Sequence, residues 1–346
     1  MTKKNKKVLL LLVFFSGFFL WNSNFKSLIV KAETTAFTVL PSFPENQVSD
    51  ATYFDLHVKE ETEQILMIVV QNTTDQALII EATALNSYTT STGIIAYQIA
   101  KTAEKNQGHS FTEFIEPKKQ QIKLKPNEAK EVLFTLKLNK QNIIGEILGA
   151  FSFELLSPKA KTAQKESMIQ TRYVTQLGIR LRSELTELPS PNLTLIKTEP
   201  IVKNSYAAIQ STIKNDQPVA FGNIRVHTTI YNKKTKKNVG EKKAENYQFA
   251  PNSTLPLITD LASEQLETGD YTTHIELTSS KGNWNFDDSF TVTKTSAKSI
   301  NQKTVYAQKD KNNWLIYLLL LFITLLLAII LFLGWRYYQV KKSQRK

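Results

Sequence analysis

The sequence predicts an all-β protein of two sandwiches in tandem, followed by a single C-terminal transmembrane helix. Three observations predict it. Between Thr34 and Thr295 apolar residues recur at every second position in short runs, separated by Pro, Asn, Gly and charged clusters. That alternation belongs to antiparallel strands with one buried and one wet face. Leu315 to Gly334 is an uncharged apolar run of 20 residues, which as a helix spans roughly 30 Å, the hydrocarbon thickness of a bilayer. A weak internal repeat in the exported part points to two copies of one architecture.

At the N-terminus, Lys3, Lys4, Lys6 and Lys7 precede the apolar run Val8 to Leu20, and Val30 and Ala32 stand where a signal peptidase reads. Residues 1–32 are expected to be a cleaved secretory signal. The alternative is an uncleaved anchor, because Trp21 to Lys31 is long for a cleavage region. At the other end Trp314 and Trp335 edge the apolar run, and Arg336, Lys341, Lys342, Arg345 and Lys346 follow without any acid. Residues 314–335 then form the membrane helix, and the positive-inside rule makes 336–346 a cytoplasmic basic tail with everything before Trp314 outside, facing the cell wall.

That topology explains the net charge of +12. Eleven of the 43 basic residues and none of the 31 acidic ones lie in the two ends, leaving 32 against 31 in residues 33–313. The charge is therefore no argument for nucleic acid. The chain has no cysteine, hence no disulfide framework, thiol nucleophile or cysteine metal site. This suits a Gram-positive surface, where the Asn-x-Ser/Thr triplets at Asn72, Asn192 and Asn252 are expected to go unmodified.

Within the exported part, Val132, Phe134, Leu136 and Leu138 oppose Thr135, Lys137 and Asn139. Phe151, Phe153 and Leu155 oppose Ser152 and Glu154, and Tyr173, Leu177, Ile179 and Leu181 oppose Gln176, Arg180 and Arg182. The second half repeats the grammar in Ile224, Val226 and Ile230, in Tyr271, Ile275 and Leu277, and in Trp284, Phe286, Phe290 and Val292. Pro126-Asn127 and Pro251-Asn252 each open onto a strand, and Gly145-Glu146 and Gly269-Asp270 follow 19 and 18 residues later. Two immunoglobulin-like β-sandwiches are expected, 33–187 and 188–295, divided at Glu187 to Leu193 where Pro189 and Pro191 interrupt the alternation. The polar Ser157 to Met168 is a second candidate boundary, read as a long hairpin loop. Residues 296–313 lack apolar periodicity and read as a flexible stalk.

A search for chemistry finds little. His57, His109, His227 and His274 fall on separate elements with no metal-ligand spacing. The sequence has no nucleophile elbow, phosphate-cradling loop or zinc-protease helix motif. Acid pairs such as Glu60-Glu61 and Asp287-Asp288 would point to opposite faces of a strand. No catalytic residue, cofactor or metal is implied, and a wall hydrolase has no acid-base constellation to support it. The lysine-rich Asn232 to Lys243 reads either as a solvated hairpin tip or as an electrostatic contact with an anionic wall polymer or acidic partner. No sortase motif precedes the apolar run, so retention falls to the helix itself.

One stretch stands out. "FTVLPSFPENQVSDATYFDLHV" holds a Pro-Glu-Asn-Gln core at Pro44 to Gln47, and then Tyr53, Asp55 and His57 alternate with Phe54, Leu56 and Val58. Pro41 and Pro44 suit an edge element short of ladder donors. With "VVQNTTDQALIIEA", "IGEILGAFSF", "YVTQLGIRLR", "PNLTL", "QFAPNSTL" and "LETGDYTTHIEL" in order along the exported part, it resembles the WxL-interacting proteins of Gram-positive bacteria. The resemblance implies an N-terminal peptidoglycan-binding domain, a host-binding domain that by sequence starts near residue 165, and association with a WxL-domain surface protein. One departure is Ala150 after Gly149, where the family has a Gly-Gly-rich strand. Small residues there permit close backbone approach, at a ligand groove or at a tight sheet-packing position.

The function expected is a membrane-anchored adhesion and scaffold protein. Its partners would be peptidoglycan, a WxL-domain protein and a host extracellular-matrix protein. A surface chaperone for exported WxL-type subunits is the alternative. Candidate binding residues are Glu45, Asn46, Gln47, Tyr53, Asp55, Gly149 and Ala150.

Overall fold

The computed structural model describes residues 35–99, 110–138, 143–156, 172–183, 187–263, 265–306 and 314–343, with side chains of the last segment described for 318–336. The expected signal, His109, the loop at 157–168 and residues 307–313 lie outside the described residues.

Two sheets face each other in the first sandwich. One runs β1 (Phe37–Ser42), β3 (Glu63–Asn72), β8 (Ala129–Lys137), β6 (Ile115–Glu116). The other runs β2 (Phe54–His57), β10 (Val174–Arg182), β9 (Glu146–Leu155), β4 (Leu78–Thr89), with β5 (Ile95–Gln98) and β7 (Lys119–Leu124) sharing the far edge of β4. The alternation read from the sequence supplies the core: Leu66, Ile68 and Val70 from β3, Val132, Phe134 and Leu136 from β8, and Phe151 and Phe153 from β9 meet inside. Phe151 lies at the centre, its ring 4.3 Å from Phe134, 5.4 Å from Phe111 and 6.5 Å from Phe54. Each such ring, fully buried, contributes about 1.5–3 kcal/mol.

The stretch between β1 and β2 carries the chain from one sheet to the other. β1 is an edge strand, and Pro41 sits in it opposite Ile68, where a missing donor costs no ladder bond. β2 then pairs parallel to β10 in the opposite sheet. β10 itself lies between β2 and β9, so this strand completes the first sandwich.

The second sandwich faces β11 (Leu193–Lys203), β12 (Tyr206–Asn215) and β15 (Thr254–Asp260) against β14 (Asn238–Phe249), β13 (Phe221–Asn232), β16 (Gly269–Ser279) and β17 (Gly282–Val292). The repeat reappears in its hydrogen bonds. Asn127 and Asn252 both take positive φ, 57° and 49°, in turns that open β8 and β15. Asn72, at the end of β3, donates its side-chain amide to Gln76 O (2.7 Å) and Lys125 O (2.8 Å). Asn215, at the end of β12, does the same to Val219 O (2.8 Å) and Ala250 O (3.1 Å). Each is fully buried and bolts two loops together.

After β17 the structure departs from the expected stalk. Lys294–Asn301 form a helix, α1, docked on the base of the second sandwich. Thr293 caps it, its hydroxyl accepting from Ser296 N at 3.1 Å. Ala297 and Ile300, one turn apart, join the apolar cluster of Ile209, Ile230 and Tyr271. Asn301 accepts from Leu266 N (2.9 Å) and donates to Leu266 O (3.0 Å). Two apolar residues make too short a stripe to register as periodicity. The last helix, α2, runs Trp314–Ser343, and its segment Leu318–Arg336, with mean hydropathy 3.0, is long and apolar enough to cross a membrane. The helix thus continues into the residues expected as a basic tail.

Among the described residues, contacts at three places join the sandwiches. The β4–β5 turn presents Gly93, at φ 71°, where a Cβ would come 2.1 Å from the ring of Tyr247, and Gly93 O accepts from Gln248 N at 2.7 Å. Thr89 Oγ1 meets Ser253 Oγ at 2.6 Å and accepts from Ala250 N at 3.0 Å. Glu146 N donates to Pro218 O at 2.8 Å, while its fully buried carboxylate accepts from Ala220 N and pairs with Arg180.

Candidate functional site

Glu45, Asn46 and Gln47 form the corner between the sheets, and the structure gives the two amides internal work. Asn46 donates to His57 O (2.8 Å) and Gln64 Oε1 (3.0 Å), and its own carbonyl accepts from His57 N at 3.0 Å. Gln47 donates to Ser49 O and Tyr53 O, each at 3.0 Å, and its Oε1 accepts from Asp55 N at 3.0 Å. With Val48 N donating to Asp55 O at 2.7 Å, this loop covers the outer edge of β2, an edge that would otherwise offer free strand groups. Asp55 is buried and takes a bidentate pair from Arg182, Nε to Oδ1 at 2.8 Å and Nη2 to Oδ2 at 2.5 Å, together with the Ser49 hydroxyl at 2.8 Å. Glu45 is exposed.

By holding the carbonyl of Tyr53, Gln47 sets that residue at the mouth of a cleft of about 720 Å³ between the two sandwiches. The outward face of β9 and β10 is its floor, with Leu148, Gln176, Gly178 and Arg180. Ile95 and Tyr97 of β5 form one wall, and Phe221, Gly222 and Gln248 of the second sandwich the other. A Cβ at Gly178 would stand in ordinary contact with Tyr53 Cβ (3.6 Å) and the Tyr97 hydroxyl (3.8 Å), so this point of β10 lies directly beneath both tyrosines. Burial, reinforced by the neighbouring Tyr53, pushes the Tyr97 phenol above its ordinary value, so it stays a neutral hydroxyl.

The Gly149-Ala150 pair divides between two jobs. Gly149 points inward, where an added Cβ would come 2.2 Å from the Phe111 ring, so the packing reading holds for it. Ala150 points outward and stands opposite Gly178 in the ladder, fully buried beside the cleft floor. Of the residues singled out in the sequence, Tyr53 lines the cleft and Gln47 and Ala150 support it, while Asn46, Asp55 and Gly149 act on the fold. Tyr97, Gln176, Gly178, Arg180, Phe221 and Gln248 were missed. Only Gly178, a glycine inside an alternating strand, carried a readable signal.

A second surface lies on the outward face of the β1-β3-β8-β6 sheet. Leu40 stands opposite Val69, and Met67 opposite Leu133. Leu40, Ile65 and Leu133 are 59%, 60% and 45% exposed. A one-sided sheet normally turns polar residues outward, whereas here adjoining apolar side chains stand in that face.

The remaining polar clusters make local contacts. The lysine-rich segment closes the β13–β14 hairpin, Asn232 Oδ1 accepting from Lys234 N (3.0 Å) and Thr235 N (3.1 Å). His57 meets Ser183 O at 3.2 Å, His227 lies 3.0 Å from Glu241, and His274 pairs with Asp287. Among the described residues no group of three or more metal-ligating side chains gathers.

A family model described as WxL Interacting Protein, peptidoglycan binding domain, matches residues 37–155, and one described as WxL Interacting Protein, host binding domain, matches 164–302. The chain belongs to the WxL-interacting protein family. In this WxL-interacting protein the second match begins before β10, although β10 pairs within the first sandwich. Comparison with curated proteins gives no match. Among solved structures, the chain is similar to the CupB2 chaperone of Pseudomonas aeruginosa, at 14% identity over 70% of this chain and 100% of that one with a TM-score of 0.27. It is also similar to the class 5 fimbriae chaperone CfaA, at 13% identity over 73% and 98% with a TM-score of 0.27. At these scores neither likeness bears on function.

Proposed function

We propose that this WxL-interacting protein is a non-enzymatic scaffold anchored in the cell membrane by α2, with its sandwiches outside and its C-terminus in the cytoplasm. It holds peptidoglycan through the first sandwich and a WxL-domain surface protein through the exposed apolar face, and the second sandwich takes a host matrix protein. The observation that carries this reading is the pair of matched binding domains, fastened to each other by Glu146, Thr89 and Gly93 and ending in an apolar helix. A partner covering Leu40, Ile65 and Leu133 would gain about 25 cal/mol for each Å² of apolar area removed from water.

The test is pull-down of the partner WxL domain by the full chain in detergent micelles. Ile65→Glu and Leu133→Glu should each weaken capture at least tenfold while leaving the melting temperature within a few degrees, since both side chains already face solvent. Capture unchanged by both substitutions refutes this placement. Capture of unfolded but not mature WxL domain would instead support a chaperone.

A further inference from the structure

We infer that the cleft between the sandwiches seats a neutral N-acetylhexosamine glycan strand of the wall, laid across Tyr53 and Tyr97. This rests on the reading that the first sandwich holds peptidoglycan, and it names the place and the part of the polymer recognised.

The cleft's size of about 720 Å³ falls within the roughly 300–1,000 Å³ typical of small-ligand sites. Its chemistry selects among wall components. Among the described residues Arg180 is the one charged side chain lining it, and that guanidinium is paired with the buried carboxylate of Glu146. An anionic wall polymer would need uncompensated cations, and the described lining offers none. A peptide adding as a strand would need an open sheet edge. The floor strand β10 is paired on both sides, to β2 and to β9, so only a sheet face is presented.

What the cleft does present suits a sugar. Two tyrosines combine apolar ring faces with hydroxyl tips, matching the C–H faces and hydroxyl rims of pyranose rings. Gln176 is exposed and makes no side-chain hydrogen bond among the described residues. The Gln248 carbonyl takes Ile95 N at 3.4 Å. These amides can exchange hydrogen bonds with acetamido groups. The site is also preformed: Gln47 holds the backbone of Tyr53, and the Gly93 and Glu146 fastenings fix the second-sandwich wall. Little ordering is then left for binding to do.

The experiment is co-sedimentation of the full chain in detergent micelles with purified sacculi stripped of anionic polymers. The competitors are the soluble β-1,4-linked tetramer of N-acetylglucosamine and a synthetic stem peptide. Tyr53→Ala with Tyr97→Ala should weaken retention at least tenfold, Tyr97→Phe less than threefold, and Gly178→Gln, which fills the floor from an outward-facing position, at least tenfold with an unchanged melting temperature. The tetramer should compete, the stem peptide should not, and half-molar salt should release little because no charge pair is involved. Retention that survives both the double substitution and Gly178→Gln, competition by the peptide alone, or release by salt would overturn the cleft assignment while peptidoglycan binding stood. Wild-type chain that stays in the supernatant would overturn both.

Discussion

Asp55 and Arg182 lie 127 positions apart and form a bidentate pair inside the first sandwich. Removing one partner of such a pair leaves a buried charge uncompensated, at a cost of about 3–5 kcal/mol. Asp55→Ala should therefore lower the urea-derived stability of the first sandwich by that amount, whereas Asp55→Leu combined with Arg182→Met should cost less than either single change. Tyr97 gives a pH prediction. Its phenol is raised above the ordinary value of 10.0 by burial and then by Tyr53, so the folded state holds that proton more tightly than the unfolded chain. Its contribution is whole below about pH 10 and is lost as pH rises through the raised value. Tyr97→Phe should flatten the alkaline part of the stability profile; an unchanged profile would show that Tyr97 titrates freely. Neither pairing was legible in the sequence. Asp55 and Tyr53 stood out by position, but their partners come from β10 and β5, and residue type alone does not say which distant side chain will answer.

At the scale of elements, alternation was the legible signal. Val132, Phe134 and Leu136, or Ile224, Val226 and Ile230, point inward as period two requires, and the Asn turns at Asn127 and Asn252 recur in the structure. The Pro-Glu-Asn-Gln corner was legible as an edge feature but not as a cover for β2, because that role lies in the hydrogen bonds of Asn46 and Gln47. Gln47→Ala should loosen Tyr53 and free the β2 edge, read as faster amide exchange at Val48 and His57, whose N–H groups bond to Asp55 O and Asn46 O. Exchange as slow as in the wild type would mean the backbone alone holds the corner. The helix α1 was hidden behind a polar composition. Thr293→Ala should remove its cap for about 1 kcal/mol, seen as a lower unfolding midpoint of the second sandwich.

For the whole molecule, the sandwiches are held side by side by contacts that no periodicity announces: a glycine turned against Tyr247, two hydroxyls, and a carboxylate reaching across to Ala220. Gly93→Val should force the junction apart, because a side chain at that φ is strained and meets the Tyr247 ring. Small-angle scattering should then report a larger radius of gyration, while each sandwich keeps its own unfolding transition. The family's two binding domains thus share one body, which in the proposed function holds wall and protein partner together without turning either over. The most direct measurement incubates the full chain in detergent micelles with purified sacculi and the partner WxL domain, then assays the pellet and the released muropeptides. The proposed scaffold role predicts that the WxL domain enters the pellet only when the chain is present and that no muropeptides are released. A WxL domain left in the supernatant, or muropeptides appearing with time, would contradict it.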